Sequence, residues 1–294
     1  MDLFTVPPQA LLAQLLLGLI NGSFYALLSL GLAVIFGLLG IVNFAHGALY
    51  MLGAYAAWLV LDKLGVGYWW ALLIAPLGVG LMGIAVERTL LQRVYRVEPI
   101  YGLLLTFGLA LMAEGALRER FGVSGQTYPV PSSLQGAFDL GFMALPVYRV
   151  WAVVASLLLC LTVWLIVERT RLGAMLRAGT EQPRLAQALG IDVPRLVVLT
   201  YGAGAALAGF AGVLAAPLTQ ITPLMGSNLV IIVFAIVVIG GMGSLLGAIV
   251  TGLSLGLVEG LAKVVWPPAS SIVVFAIMAV VLAVRPAGLF GKEK

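Results

Sequence analysis

Long stretches of this 294-residue sequence carry no charged side chain, including Tyr101 to Ala113 and Asn228 to Val258. Hydrophobic residues make up 62% of the chain and charged residues only 10%. A soluble domain of this length needs far more charge on its surface. Apolar runs of about 20 residues are long enough to cross the hydrocarbon core of a bilayer. The sequence therefore predicts an all-α, polytopic membrane protein.

We expect about 8–10 transmembrane helices in a single transmembrane domain, residues 1–294. The candidate spans lie near 9–30, 45–61, 68–88, 99–117, 149–168, 195–216, 228–243, 245–265 and 270–285. The segment 11–42 is too long for one crossing and short for two. Breaks at Gly31, Gly37 or Gly40 would divide it into a full helix and a half-helix, and the sequence leaves both arrangements open.

The basic residues predict the orientation of the chain. Segment 88–98, segment 168–195 and the C-terminal tail together hold 11 of the 16 Lys and Arg residues. The positive-inside rule places such segments in the cytoplasm. Nine crossings then place the N-terminus outside, and residues 118–148 form an external loop. The N-terminus has no Lys or Arg in "MDLFTVPPQ", unlike a secretory signal.

Two segments in different halves of the chain share a glycine-rich pattern. Residues 34–53, "VIFGLLGIVNFAHGALYMLG", match residues 237–256, "VVIGGMGSLLGAIVTGLSLG", at six of 20 positions. Repeated segments interrupted by glycine indicate the binding path of a transporter. The alternative is that a glycine-rich composition produces the match by itself. An internal repeat is therefore one of two explanations.

Asn43 and the chain's single histidine, His46, are polar residues between apolar runs. Because they are three positions apart, they share one face if the segment is helical. One interpretation is an interhelical hydrogen bond or a helix cap, and the other is the polar lining of a transport path. Neither a second histidine nor a cysteine lies nearby, so we expect no metal site.

Two acidic residues within spans are each followed, four positions later, by a basic residue. Glu114 precedes Arg118, and Glu259 precedes Lys263. Residues at this spacing are neighbours on a helix surface. We therefore predict two ion pairs near helix ends. Cys160 is the only cysteine, so it forms no internal disulfide.

The longest charged segment, 168–195, predicts a short cytoplasmic helix. Pro183 suits the first helical position, and Gly190 suits a residue just beyond the end. Leu185, Ala186 and Leu189 then form a narrow apolar stripe. A two-turn helix is marginal alone but fits a partner's groove. The alternative is a helix packed on its own membrane domain.

The sequence contains no phosphate-binding loop of the form G-x-x-x-x-G-K-[ST]. Intramembrane ionisable residues, which a gradient-driven carrier uses for its coupling ion, are scarce. We therefore expect a transport subunit that is not an enzyme, holds no cofactor and takes energy from another subunit that binds ATP.

Five motifs resemble a known family, the LivH-type permeases of ATP-binding cassette importers for branched-chain amino acids. They are "QLLLGLINGSFYALLSLGLAVIFGLLGIVNFAHGALYMLGAY" (14–55), "RAGTEQPRLAQALGIDVPR" (177–195), "GAALAGFAGVL" (204–214), "VVIGGMGSLLGAIVTGLSLGLVEG" (237–260) and "VRPAGLFG" (284–291). "NFAHG" is the most specific marker, and region 118–149 matches least. The chain departs from the family pattern at Gln182, Pro183 and Ala287.

The resemblance implies a multi-pass subunit of the bacterial inner membrane that works with a homologous second permease, two cytoplasmic ATPases and a periplasmic solute-binding protein. It implies that region 177–195 is the coupling helix that meets the ATPase. The candidate coupling residues are Glu181, Pro183, Arg184, Leu185, Ala186, Leu189, Gly190 and Ile191. The candidate path residues are Asn21, Tyr25, Asn43, His46, Gly240, Gly241, Gly243 and Ser244.

The leading hypothesis is import of branched-chain or related amino acids by alternating access, driven by ATP binding elsewhere. Permeases of similar architecture also move urea, short amides and other amino acids, and no residue resolves that choice. A self-sufficient channel or carrier and an intramembrane enzyme are the alternatives from other classes.

Overall fold

The computed structural model describes residues 7–40, 43–94 and 98–291, and they are mainly helical. The helices are α1 (Pro8–Leu39), α2 (Ala45–Leu64), α3 (Tyr68–Val86), α4 (Gln92–Val94), α5 (Pro99–Phe121), α6 (Val147–Arg169), α7 (Arg171–Glu181), α8 (Pro183–Ala188), α9 (Val193–Ala215), α10 (Met225–Gly240), α11 (Leu245–Val265) and α12 (Val273–Val284). A π-helical turn, Glu87–Leu91, joins α3 to α4. Strands β1 (Ala137–Asp139) and β2 (Ala144–Pro146) form an antiparallel pair.

Six helical stretches in the described part of the chain are long and apolar enough to cross a membrane. They are Pro8–Gly37, Tyr68–Val94, Ile100–Phe121, Val147–Arg169, Val193–Ala215 and Leu245–Val265. The other three predicted spans fall on α2 and on the shorter apolar helices α10 and α12. The predicted all-α, polytopic membrane fold is confirmed, and the number of crossings and their orientation stay predictions.

The segment 11–42 contains one continuous helix over its described part. α1 passes through Gly31 and Gly37 and ends just before Gly40, whose φ is +62°. Its 32 residues extend about 48 Å at about 1.5 Å per residue. That length allows one crossing and is too short for two. Residues 41 and 42 lie outside the described residues.

The predicted external loop, 118–148, is shorter in the structure. α5 continues to Phe121 and α6 begins at Val147, so 122–146 connects them. The helix extends further because Arg118, Glu119 and Arg120 are good helix formers. The end of the apolar run marks the end of the predicted span, whereas the helix itself continues.

Tyr128 lies in this connection, and burial raises the pKa of its hydroxyl to about 12.

The chain forms two compact units, each discontinuous in sequence. The first comprises the described residues within Met1–Leu30, Val130–Cys160 and Ile232–Lys294, and the second those within Gly31–Pro129 and Leu161–Ile231. In the first unit, α1 and α11 touch at glycines. A Cβ on Gly18 would lie 2.6 Å from the carbonyl oxygen of Gly256, and a Cβ on Gly252 would lie 2.6 Å from the amide nitrogen of Ala26.

In the second unit, α9 packs against α2 and α3. A methyl group on Gly53 of α2 would overlap the backbone of Gly209, and one on Gly83 of α3 would lie 2.6 Å from the Cβ of Ala205. Small residues permit such close approach of helix backbones in a membrane protein, where dispersion contacts drive helix association. The glycine content thus serves helix packing inside each unit.

Candidate functional site

We call residues 40, 43 and 44, the described residues between α1 and α2, the first break. Asn43 lies there with only 3% of its surface exposed. Its Oδ1 accepts a hydrogen bond from the Ala45 amide at 3.1 Å, and its Nδ2 donates to the Tyr201 hydroxyl at 3.1 Å. Asn43 therefore caps the start of α2 and connects it to α9. This arrangement agrees with the cap interpretation of the sequence.

Thr106 of α5 secures the next residue of the first break. The Phe44 amide donates a hydrogen bond to Thr106 Oγ1 at 3.2 Å, and Thr106 Oγ1 donates to the Leu103 carbonyl at 3.0 Å. The Phe44 ring also meets Phe107 edge to face, with 6.0 Å between the ring centroids. Two backbone amides at the start of α2 are thus satisfied by side chains.

His46 is fully buried, in the first turn of α2. Its ring lies against Gly31 of α1, because a Cβ added at Gly31 would lie 3.0 Å from His46 Cε1. The same Cβ would lie 3.2 Å from the Gly204 carbonyl of α9. The imidazole therefore fills a space between three helices that glycine leaves open. In this conformation a solute does not reach either Asn43 or His46.

Glu87 is a buried acid that the sequence analysis did not single out. It is fully buried in the π-helical turn that follows α3, within electrostatic reach of the Tyr201 phenol. It lies near the end of the predicted span 68–88, next to Arg88 of the predicted cytoplasmic segment. The apolar residues Val86, just before it, and Leu90, three positions after it, are the sequence signal that it faces inward.

We call residues 241–244, between α10 and α11, the second break. Gly241 and Gly243 have φ values of +99° and +88°. The Ser244 hydroxyl oxygen accepts a hydrogen bond from the Gly247 amide at 3.1 Å, which caps α11. Gly40 and Gly243, aligned in the predicted repeat, thus both have positive φ between a helix end and a helix start.

The C-terminal motif "VRPAGLFG" closes the second break. The amides of Leu289 and Phe290 donate hydrogen bonds to the carbonyls of Ile239 and Gly240 at 2.8 and 3.1 Å. Gly241 approaches the backbone of this segment so closely that a methyl group there would overlap the Gly291 amide nitrogen. Main-chain groups of the C-terminal segment therefore satisfy the last carbonyls of α10.

The remaining candidate path residues differ in exposure. Asn21 is exposed, whereas Tyr25 is buried and donates a hydrogen bond to Glu259 Oε2 at 2.8 Å. Gly240 and Gly241 are buried, Ser244 is half-buried and Gly243 is exposed. Asn21, Tyr25 and 240–244 belong to the first unit, and Asn43 and His46 to the second. A path through all of them stays a prediction.

Both predicted ion pairs are confirmed. Glu114 Oε1 lies 3.8 Å from an Arg118 nitrogen, and Glu259 Oε1 lies 2.6 Å from Lys263 Nζ. Glu114 also accepts a hydrogen bond from the Ser227 hydroxyl at 2.6 Å. Each acid therefore has two polar contacts, one on its own helix and one on another. No group of three or more possible metal ligands occurs among the described residues.

The predicted coupling segment folds as two helices, α7 and α8. α8 begins at Pro183, as predicted, and Gly190 follows its end with φ of +87°. Ala186 is buried, whereas Leu185 and Leu189 are 55% and 76% exposed. α7 was not predicted. Its Arg177 reaches back to donate a hydrogen bond to the Val167 carbonyl at 3.1 Å.

Sequence comparison identifies the family. The sequence model for the branched-chain amino acid transport system permease component matches residues 14–282. The chain belongs to this family of permeases. The resemblance predicted from the five motifs is confirmed, and the match extends over nearly the whole chain.

Individual members of the permease family agree with this assignment. The chain is 31% identical to the high-affinity branched-chain amino acid permease protein LivH of Escherichia coli K12, over 96% of each chain. It is 29% identical to BraD of Pseudomonas aeruginosa, again over 96% of each. It is also 29% identical to LivM of E. coli K12, over 90% of this chain and 67% of LivM. No solved structure matches the chain.

Proposed function

We propose that this permease imports branched-chain amino acids across a bacterial inner membrane as one subunit of an ATP-binding cassette complex. The support is its 31% identity to LivH over 96% of both chains. Its weaker similarity to LivM suits a heterodimer of two homologous permeases. A periplasmic solute-binding protein would deliver the amino acid, and two cytoplasmic ATPases would bind the ATP.

The observation that carries the energy-coupling part of this proposal is the exposure of α8. Leu185, in a helix of only six residues, and Leu189, just after the end of that helix, are both exposed, although each would be more stable buried. A short helix with an exposed apolar stripe is suited to a groove on a partner. We assign that groove to the ATPase, whose closure on ATP would displace α8 and the membrane helices next to it.

We expect the coupling segment on the cytoplasmic side of the membrane and the connection that follows α5 on the other side. Their positions at opposite ends of α9, within the second unit, support this expectation. α8 precedes the N-terminus of α9, where Asp192 Oδ1 accepts a hydrogen bond from the Arg195 amide at 3.1 Å. The C-terminus of α9 leads to Ile221, which pairs with Gln126 through two hydrogen bonds of 2.9 Å. The 23 residues of α9, about 34 Å long, separate these two ends.

Leu185→Asp tests the coupling assignment in proteoliposomes that hold the second permease and the ATPases, with loaded binding protein outside. We expect ATP-driven leucine uptake to fall to background, because a carboxylate would be buried in an apolar groove. Val123→Asp is the control, since Val123 is 71% exposed at the other end of the unit, and should retain uptake.

Undiminished uptake by Leu185→Asp would remove α8 from the coupling mechanism. Leucine flux through this polypeptide alone, without nucleotide, would instead indicate a channel or carrier. Uptake of urea or a short amide in place of leucine would show that the proposed substrate is wrong. The proposed coupling to the ATPase through α8 would then still stand.

A further inference from the structure

The second unit contains a cavity that no part of the transport proposal uses. Its volume is about 140 Å³, and it lies among α2, α5 and the first turns of α10. Its wall is mainly apolar, with contributions from Phe44, Met51, Phe107, Leu111, Val230 and Ile231. An apolar cavity of about 150 Å³ in another protein holds a benzene molecule. A branched aliphatic side chain, which is smaller than benzene, therefore fits this space.

One carboxylate faces this apolar space. Among the described lining residues, only Glu114 is charged, and its side chain is 16% exposed. It lies seven residues before the end of α5, about 10 Å along the helix. The Ser227 hydroxyl, also in the wall, donates to one carboxylate oxygen, and Arg118 lies 3.8 Å from the other. Both contacts therefore fall on the carboxylate at the edge of the apolar space.

We propose that this cavity is a subsite on the permease for an amino acid with a branched aliphatic side chain. The side chain occupies the apolar part, and the α-ammonium group pairs with the Glu114 carboxylate. This inference rests on the proposed function, which it deepens by giving the membrane subunit its own selectivity. A lipid acyl chain matches the apolar wall but offers no polar group to the Glu114 carboxylate. An inorganic cation pairs with the carboxylate but gains nothing from the apolar wall.

The two ends of the occupant match the two parts of the cavity. An ammonium–carboxylate hydrogen bond is charge-assisted and stronger than a hydrogen bond between neutral groups. Burial of the aliphatic side chain adds a favourable term proportional to its apolar area. Glycine and alanine would form the ammonium–carboxylate hydrogen bond but would bury little apolar surface. The site therefore favours leucine, isoleucine and valine over small amino acids.

The direct test is photolabelling of the assembled complex with a leucine analogue that carries a diazirine in its side chain. Irradiation followed by mass spectrometry locates the labelled residues. We expect label on the cavity wall, chiefly at Met51, Phe107 and Ile231. Excess leucine should compete with the label, and excess glycine should not. Label spread over lipid-facing surfaces with no competition would overturn the proposal.

Paired variants test the apolar and the charged parts of the site. Ala110→Leu fills the cavity, since Ala110 is in its wall, whereas Ala116→Leu adds the same atoms to an exposed position of the same helix. Glu114→Gln removes the charge, whereas Glu119→Gln removes an exposed charge five residues along. We expect each cavity variant to lose about tenfold or more of the competable label, and each control to retain it.

The uptake assay separates this inference from the proposed function. If wild-type complexes import leucine with ATP but both cavity variants label and import like wild type, the subsite is wrong and the import function stands. If wild-type complexes import no leucine, the proposed function itself is wrong. Size-exclusion profiles and the ATPase activity of each variant complex show that it has assembled. A variant that does not assemble is replaced by Ser227→Ala, which lines the same cavity and should weaken competable labelling.

Discussion

The two helix breaks share a sequence pattern but are closed by different chemistry. At the first break, side chains of Asn43 and Thr106 satisfy backbone amides at the start of α2. At the second break, backbone amides of Leu289 and Phe290 satisfy carbonyls at the end of α10. Both solutions hydrogen-bond backbone groups that a helix end leaves without a partner in its own helix. At the first break, replacing glycine by alanine should therefore destabilise the protein less than removing a polar side chain. At the second break, replacing glycine by alanine should destabilise it more.

Gly241→Ala should have the largest effect on stability. It places a side chain at φ of +99° and against the Gly291 backbone. We expect the free energy of unfolding to fall by about 3–4 kcal/mol, from the strained φ and the steric overlap together. Cys160 is the only cysteine and is 1% exposed. A thiol-reactive fluorescent dye therefore reaches it only when the protein unfolds, and labelling during heating measures stability.

Gly40→Ala is the matched control at the first break. Gly40 also has positive φ, +62°, but no atom of the described residues lies within 4 Å of an added Cβ. Only the strained backbone should contribute, about 1–2 kcal/mol. Equal losses for the two variants would show that the C-terminal segment does not hold the second break.

Asn43→Ala should destabilise by about 2–3 kcal/mol. It removes the cap on the Ala45 amide and the hydrogen bond to Tyr201, and it leaves buried groups unsatisfied. Tyr201→Phe removes only the second of these bonds and should cost about 1 kcal/mol. The double variant should lose less than the sum of the two. Strict additivity would mean that Asn43 and Tyr201 do not interact.

Gly31→Ala should destabilise by about 1–3 kcal/mol through overlap with the His46 ring, 3.0 Å from the added Cβ. A second change, His46→Ala, should restore part of the loss because it removes the obstructing side chain. No such rescue is expected for Gly241→Ala, whose obstruction is backbone. Dye-monitored unfolding of the single and double variants checks both statements. A double variant less stable than either single variant would contradict the contact.

Ser244→Ala should have the smallest effect, about 0.5–1 kcal/mol. It removes the one side-chain cap described at the second break, where the C-terminal segment still holds α10. Under the same dye assay its unfolding midpoint should stay close to that of the wild type. A loss as large as that of Asn43→Ala would show that both breaks depend on side-chain caps.

The helices were predictable from sequence because apolar runs and basic segments are local signals. All nine predicted spans fall on helices, and Pro183 begins α8 as predicted. The continuity of α1 was not predictable, because glycine permits a break without requiring one. α1 continues past Gly31, where close packing against His46 and Gly204 requires a glycine.

The candidate site was predictable only in part. The spacing of Glu114 and Arg118 predicted their ion pair, because the partners are on one helix. The Ser227 contact of Glu114 joins residues 113 positions apart, and no local pattern marks it. Glu87 was missed for the same reason, since its burial depends on helices distant in sequence.

By itself the sequence determined that this chain is a helical membrane protein of the permease family, because hydrophobicity, charge distribution and family motifs are written along the chain. Only the tertiary structure decided which glycines are contact points, which break is closed by side chains and which by backbone, and where an acid meets an apolar cavity. The physical reason is that these features depend on distances between residues far apart in sequence. Those distances exist only after the helices have packed.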